Sequence, residues 1–309
     1  MANPLVSVII PNYNHARFLD ERIQSVLSQT YQNFEVIILD DKSTDNSIDV
    51  INKYKDDSHI THIIVNEENS GSPFKQWDKG FELAKGEWIW IAESDDSCEP
   101  QFLEELMAHV DDETSFAFCR SKRMDQHGAP VYENWQDELK DSFTMDGQQF
   151  IDDYLRRKCI VWNASSVIFR RDNVFQIPKD YMGFKAAGDW LYWICLARLG
   201  NVSFVNTPLN RFRLHNTNTT QQSIQSGLVK VERAKLYHYL ISNGYISRQY
   251  YRKIRMNDIN NLFIYSNLEK ESKEHILDMW EVSNAEQFFL WMKKQCIRLR
   301  DRFCSSGLG

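Results

Sequence analysis

The sequence predicts an α/β protein with a mostly parallel central sheet and a helical C-terminal extension. Apolar, strand-like runs alternate with amphipathic segments through the first hundred residues. The runs are apolar without interruption, as in parallel strands covered on both faces. From about Ser223 onward nearly every segment has helical character.

Leu5 to Ile10 is the first strand, and "ARFLDERIQSVLSQ" follows with Leu19, Ile23, Val26 and Leu27 at helical spacing. "FEVIILD" is the second strand. The helix in "STDNSIDVINKYK" has Ser43 or Thr44 as its natural N-cap and Ile48, Ile51 and Tyr54 along one face. "ITHIIV" is the third strand, and the next helix carries Pro73 near its start, Phe74, Trp77, Phe81 and Ala84 on one face, and Gly86 at its end. "EWIWIA" is the fourth. Beyond Ser115, "SFAFCRS", "SSVIFRR" and "VSFVNTPLNRFRLH" are strand-like, while "DGQQFIDDYLRRK" and "GDWLYWICLARLG" are helical. The tail has polar breaks near Asn243-Gly244 and Glu271-Ser272.

With 42% hydrophobic and 26% charged residues, the 309-residue chain has the balance of a globular protein long enough for a sizeable core. Its net charge of -7 argues against nucleic acid as a partner. The six cysteines form neither a CxxC pair nor a zinc pattern, so reduced thiols are expected. The N-terminus lacks a basic leader and no apolar run reaches the ~18 residues of a spanning helix, which leads to an expected cytoplasmic location.

Parallel sheets bind ligands beyond the carboxyl ends of their strands. In this chain those loops are "PNYN", "DDKSTD", "NEENSG" and "ESDD". The last brings Glu93, Asp95 and Asp96 within four positions, where like charges repel unless a cation or hydrogen-bond donors compensate. Either a cation is held there, or one of the aspartates caps a helix beginning near Pro100. Neither GxGxxG nor GxxxxGK[ST] follows the first strand, which removes support for a dinucleotide fold or a Walker phosphate loop.

The stretch from Val6 to Asp96, with "VSVIIPNYN", "VIILDDKSTDNS", "NSGSPFKQWDKG" and "WIWIAESDD" in order, resembles the family 2 inverting glycosyltransferases. The resemblance weakens toward His215 and does not extend past Ser223. It implies a GT-A fold of the nucleotide-diphospho-sugar transferase type over 1-222, with a nucleotide-binding half at 1-97 and an acceptor-binding half at 98-222. Residues 223-309 form the helical extension. It further implies transfer from a nucleotide-diphospho-sugar, uridine or thymidine favoured, with a divalent metal, Mn²⁺ or Mg²⁺. "ESDD" occupies the position of the family's acidic metal motif, with Glu93 where many relatives have Asp. Asp95 and Asp96 are therefore expected at nucleotide and metal, and Glu93 in a supporting place.

By the same resemblance Pro11 and Tyr13 lie against the nucleoside, Asp41 accepts from the base's imide N-H with Asp40 beside it, and Lys75 approaches base or diphosphate. Asp189 corresponds to the general base, which inversion requires to stand apart from the metal. On the sequence alone Asp189 also fits an N-cap. His215 corresponds to a histidine near metal or diphosphate, with Arg211 and Arg213 alternating before it. The remaining histidines are given no special role.

On the acceptor side, a glycan or lipid-linked saccharide, "VWNASSVIFRR" and the irregular Arg123 to Met145 region are expected to line the cleft, with Trp162 packed in the core. The sequon at Asn163 is taken as chance. "FFLWMKKQCIRLRDRF" interleaves aromatic and basic residues, as a peripheral membrane helix or an oligomer contact would. A sugar nucleotidyltransferase, a two-carboxylate hydrolase and a nucleotide-sugar-binding scaffold without catalysis remain as alternatives.

Overall fold

The computed structural model describes residues 3–131, 138–215, 223, 226–265, 268 and 270–305. Of the Arg123 to Met145 region, 132–137 lie outside the described residues. The chain forms two units, 1–216 and 217–309.

In the first unit, β1 (Val6–Asn12), β2 (Phe34–Asp40), β3 (Ile60–Val65) and β4 (Trp88–Ile91) form the parallel part of the sheet, in the order β3-β2-β1-β4. Every residue of β1, β2 and β4 is buried. The reason is coverage of both faces, which the unbroken apolar runs require. Helix α1 (Ala16–Leu27) buries Phe18, Leu19, Arg22, Ile23 and Val26, a stripe at helical spacing that includes one charged residue. After α2 (Ser47–Asn52), helix α3 (Pro73–Leu83) lies close on β1: a Cβ on Gly80 would come 2.6 Å from the Ile9 side chain.

Beyond β4 the sheet changes direction. Short β5 (Ser97–Cys98) and α4 (Phe102–Met107) lead into β6 (Thr114–Met124). Next come β7 (Phe143–Met145) and α5 (Gly147–Phe150), which continues as a π-helical turn to Leu155. They are followed by β8 (Val167–Arg170), α6 (Arg171–Val174), α7 (Gly188–Ala197) and β9 (Asn201–Arg213). β8 lies antiparallel between β4 and β6, β6 runs parallel to β9, and β5 and β7 both pair antiparallel with β9. The sheet is thus mixed, with its parallel half on the N-terminal side. β5 is two residues long but places the site: Ser97 pairs with Arg211, so the residues just before β5 meet those ending β9.

Three local expectations change. The second helix starts at Ser47, because Ser43 bonds Asp40 and Thr44 bonds Asn14 instead of capping. Trp162 is 36% exposed, with the Lys158 ammonium 5.1 Å from its ring, so it is no core residue. Glu271-Ser272 lies inside a helix.

The second unit contains α8 (Leu228–Ser242), α9 (Arg248–Tyr265), α10 (Lys270–Met279) and α11 (Asn284–Ser305). Tyr237 stacks on Trp280 at 6.1 Å in its core. Arg255 fastens its last turn, donating to the Trp280 carbonyl at 2.8 Å and to Glu286 Oε1 at 2.7 Å.

Gly86 lies two residues before β4 and donates its N–H to Ser7 Oγ at 2.8 Å. A Cβ there would stand 2.6 Å from both Leu5 O, just before β1, and Ser7 N within it, backbone atoms that cannot step aside. Gly86→Ala is predicted to destabilise the fold by about 1–3 kcal/mol, the range for overpacking. Urea unfolding measures it, and an unchanged midpoint contradicts this packing.

Candidate active site

The carboxyl ends of the parallel strands meet at one edge. Asn12 pairs with Asp40 across β1 and β2, the Asp41 N–H donates to Asn12 O at 2.8 Å, and the Asn66 N–H donates to Asp40 O at 2.8 Å. Asp40 is wholly buried and tied to its own loops: Asn12 Nδ2 and Ser43 Oγ, each at 2.7 Å, donate to Oδ2, and the Ser43 N–H donates to Oδ1 at 2.8 Å. Asp41 Oδ1 accepts from Asn66 Nδ2 (2.6 Å), the Ser70 N–H (2.9 Å) and Gln76 Nε2 (2.9 Å). Its Oδ2 accepts from Ser70 Oγ at 2.8 Å, which leaves that oxygen capacity for a further donor. Pro11 is buried in β1, Tyr13 is 47% exposed, and exposed Lys75 donates to Ser70 O at 3.0 Å.

The acidic motif divides into three environments. Asp96, expected at the metal, is 1% exposed and committed to its own chain. Its Oδ2 accepts from Asn163 Nδ2 at 2.8 Å and Ser165 Oγ at 2.7 Å, and its Oδ1 accepts from the Arg213 N–H at 2.9 Å. It therefore caps no helix, and Asn163 is buried, closed to glycosylation. Arg22, with no exposed side-chain surface, places Nη2 3.9 Å from Asp96 Oδ2 and donates Nε to the Glu93 carbonyl at 2.9 Å. Arg213, equally buried, donates Nε to the Asp95 carbonyl at 2.8 Å and pairs with Glu21 at 2.5 Å. The Arg22 guanidinium thus supplies positive charge that a buried acidic cluster demands, while Arg213, ion-paired with Glu21, fixes the loop through the Asp95 carbonyl.

Burial and the charge of Asp95 push the Asp96 carboxyl up to about 6, with Arg22 pulling against them. Burial and the charge of Asp95 push Glu93 further, to about 8, although Trp77 Nε1 donates to its Oε1 at 3.0 Å. Glu93 is therefore mostly protonated at neutral pH. For Asp95 burial also acts upward, but the 2.9 Å hydrogen bond with His215 Nε2 and the attraction of the His15 and His215 imidazoles bring it below its ordinary value. Asp95 is the cluster's persistent anion.

Around Asp95 a set of ligating atoms gathers. His15, Asp95 and His215 each offer one, all within 4.8 Å of one another. The two imidazoles stand edge to face, with centroids 5.5 Å apart. Burial holds His15 below its ordinary value, against the pull of Asp95, which favours the neutral, ligating form. One His15 nitrogen, Nδ1, is fixed by Ser94 Oγ at 2.9 Å, leaving the other for a ligand, the usual arrangement of a ligating histidine. The sequence reading missed His15. Its position on the loop after β1 was the available signal, since every polar residue of that edge is a candidate. His215 was expected here; Arg211 instead pairs with Glu99 at 2.9 Å.

Asp189 lies in the first turn of α7 but does not cap it; that position belongs to Ala187. Asp189 Oδ1 accepts from the Trp190 N–H at 2.7 Å, and the carboxylate is close enough to raise the Cys159 thiol's pKa, after burial. The segment from Cys159 to Asn163 thus leads from Asp189 to the bond with Asp96. Helix α3 spans the same ground: Gln76 touches Asp41, Trp77 touches Glu93, and Phe74 lies where a Cβ on Gly188 would fall, 2.5 Å away.

Removing one member of a buried charge pair leaves the other uncompensated, at a cost of about 3–5 kcal/mol. Arg22→Met is predicted to lower unfolding stability by about 3 kcal/mol, near the bottom of that range because Asp96 can take up a proton. Chemical denaturation measures this, and a wild-type midpoint contradicts the counter-charge role.

Comparison with known proteins identifies the family and the fold. The model of the family described as Glycosyl transferase family 2 matches residues 7–173, more than half of the chain. The putative teichuronic acid biosynthesis glycosyltransferase TuaG of Bacillus subtilis is 28% identical over 215 residues, 69% of this chain and 80% of that protein. Among solved structures, residues 1-349 of S. aureus TarS in complex with UDP-GlcNAc align with a TM-score of 0.66 at 19% identity, over 89% of this chain and 79% of that one. The mannosyltransferase PcManGT from Pyrobaculum calidifontis, in complex with GDP-Man and Mn²⁺, aligns with a TM-score of 0.55 at 15% identity, over 96% and 81%. The likeness to these structures establishes the GT-A fold, and the family match over residues 7–173 takes in the four parallel strands and the acidic motif: the chain belongs to glycosyltransferase family 2.

Proposed function

We propose that this glycosyltransferase transfers a sugar, with inversion, from a uridine or thymidine diphospho-sugar to an acceptor hydroxyl in bacterial cell-surface polysaccharide assembly, assisted by a divalent metal. The observation that carries the reading is the convergence of His15, Asp95 and His215 at the ligand edge of the sheet. One carboxylate and two imidazoles suit Mn²⁺ better than Mg²⁺, which prefers oxygen ligands and keeps its water. His15, Asp95 and His215 would hold the ion, and bound there it would neutralise the charge growing on the diphosphate leaving group. Asp96 and Glu93 hold the loop in place instead of ligating.

Asp41 remains the base acceptor, through the spare capacity of Oδ2, which favours an imide N–H donor such as that of uracil. Asp40 serves the loops. The exposed Tyr13 ring offers a stacking surface for the nucleoside, with buried Pro11 two residues before it and Lys75 reaching toward base or diphosphate. Asp189, on the other side of the Cys159 to Asn163 segment from Asp96, takes the proton from the attacking hydroxyl. The UDP-GlcNAc complex of TarS supports a uridine donor, the Mn²⁺ complex of PcManGT supports the metal, and the name of TuaG supports the polymer class.

Calorimetry of UDP binding with and without Mn²⁺ tests the donor side. Binding is expected to need the metal, and Asp95→Ala to weaken it by at least about tenfold, on the scale of ligand-sphere changes. Metal-independent binding contradicts the metal assignment, and no binding at all removes a uridine nucleotide as the donor. Asp189→Asn is expected to leave donor binding intact while transfer falls by about 10²-fold or more. Undiminished turnover in that variant removes Asp189 as base.

A further inference from the structure

We propose that α11 docks the protein on a bilayer surface containing anionic lipid. A surface helix ordinarily turns its large apolar side chains inward. In α11 the arrangement is reversed. Among its described side chains Leu290 is the buried apolar one, 7% exposed, while Phe288, Phe289, Trp291 and Met292 are 59%, 72%, 50% and 44% exposed. Their spacing places them on two adjoining turns of one broad face, and Phe288 stacks on Trp291 with centroids 6.2 Å apart. An apolar surface of this size, made of the residues that favour a water–hydrocarbon boundary, marks an interface.

Charge selects the occupant. The chain carries a net -7, yet α11 contains Lys293, Lys294, Arg298, Arg300 and Arg302 against Glu286 and Asp301. Glu286 is itself taken up by Arg255 at 2.7 Å. Positive charge is thus concentrated in the helix that carries the exposed aromatic rings, on an otherwise acidic protein. An anionic leaflet supplies both complements at once, hydrocarbon for the rings and headgroup charge for the cations. A second copy meeting the same face across a two-fold axis would bring positive helix against positive helix. Among the described residues no helix is long and apolar enough to cross a membrane, so α11 would lie along the surface. This inference does not depend on the donor chemistry proposed above.

The test is co-sedimentation of the full chain with vesicles of phosphatidylglycerol and phosphatidylcholine, compared with phosphatidylcholine alone. The account expects binding to the mixed vesicles that weakens as salt is raised. It expects at least about tenfold weaker partitioning for Phe288→Ser/Phe289→Ser/Trp291→Ser, since most of the buried apolar area is lost. These side chains are exposed, so circular dichroism and thermal unfolding of the variant should match wild type. A second variant, Lys293→Glu/Lys294→Glu, keeps the rings and should lose the preference for anionic vesicles. Equal binding to both vesicle types, or unaltered binding by the triple variant, overturns the proposal. So does a protein that ignores vesicles but forms a dimer, seen by light scattering, which the triple substitution dissolves.

Discussion

The site depends on the Arg22 guanidinium, buried beside an acidic cluster. The fourth strand ends in Glu93, Asp95 and Asp96, where burial and mutual repulsion act together against ionisation. Arg22 approaches from α1, and Arg213 from the end of β9. Both donate to a main-chain carbonyl of the acidic loop, so Arg22 joins charge compensation to loop geometry, and Arg213, paired with Glu21, adds to the latter. Because Arg22 has no exposed side-chain surface and its terminal nitrogens lack hydrogen-bond partners among the described residues, its contribution to Asp96 is chiefly one of charge. This economy leaves Asp95 free for a different task.

The compensation divides the carboxylates by function. Asp96 is absorbed by Arg22, Asn163, Ser165 and the Arg213 backbone; Glu93 is held largely neutral against Trp77; Asp95 keeps its charge beside two imidazoles. The neighbouring loops are fixed by the same kind of bonding. Asp40 joins Asn12 to Ser43, Asn14 receives the Thr44 N–H, and Asp45 accepts from the Ala16 N–H at the start of α1. His15 stands between those two anchors. A ligand edge held this firmly positions donor groups before any ligand arrives, which is the condition for efficient charge stabilisation.

Much of this could be read from the chain. The parallel half of the sheet followed from unbroken apolar strands, and the position of the acidic motif from the rule on strand ends. Asp95 and His215, brought together in space, were both singled out, although 120 residues separate them. What could not be read depended on contacts distant in sequence. Nothing local in Arg22 distinguishes it from a solvated helix arginine; only packing of α1 against the acidic loop turns it inward. Ser97 and Cys98 are too few to register as a strand, yet their pairing with β9 delivers Arg213 and His215 to Asp95. Asp96 and Asp95 are adjacent and chemically identical, so the separate environments they occupy need Asn163 and Ser165, which periodicity cannot place. His15 was overlooked because a single histidine before a helix carries no spacing signal.

The central claim is that two histidines and Asp95, and not the consecutive carboxylates, form the cation site. Pulsed electron paramagnetic resonance of the Mn²⁺-loaded protein with UDP reads the donor atoms directly, through modulation from directly coordinated imidazole nitrogen. The account predicts nitrogen couplings from two imidazoles in the wild type, reduced to one in His15→Ala, with Asp96→Asn leaving the pattern unchanged. A spectrum of oxygen ligands alone, or one that His15→Ala does not alter, would contradict it.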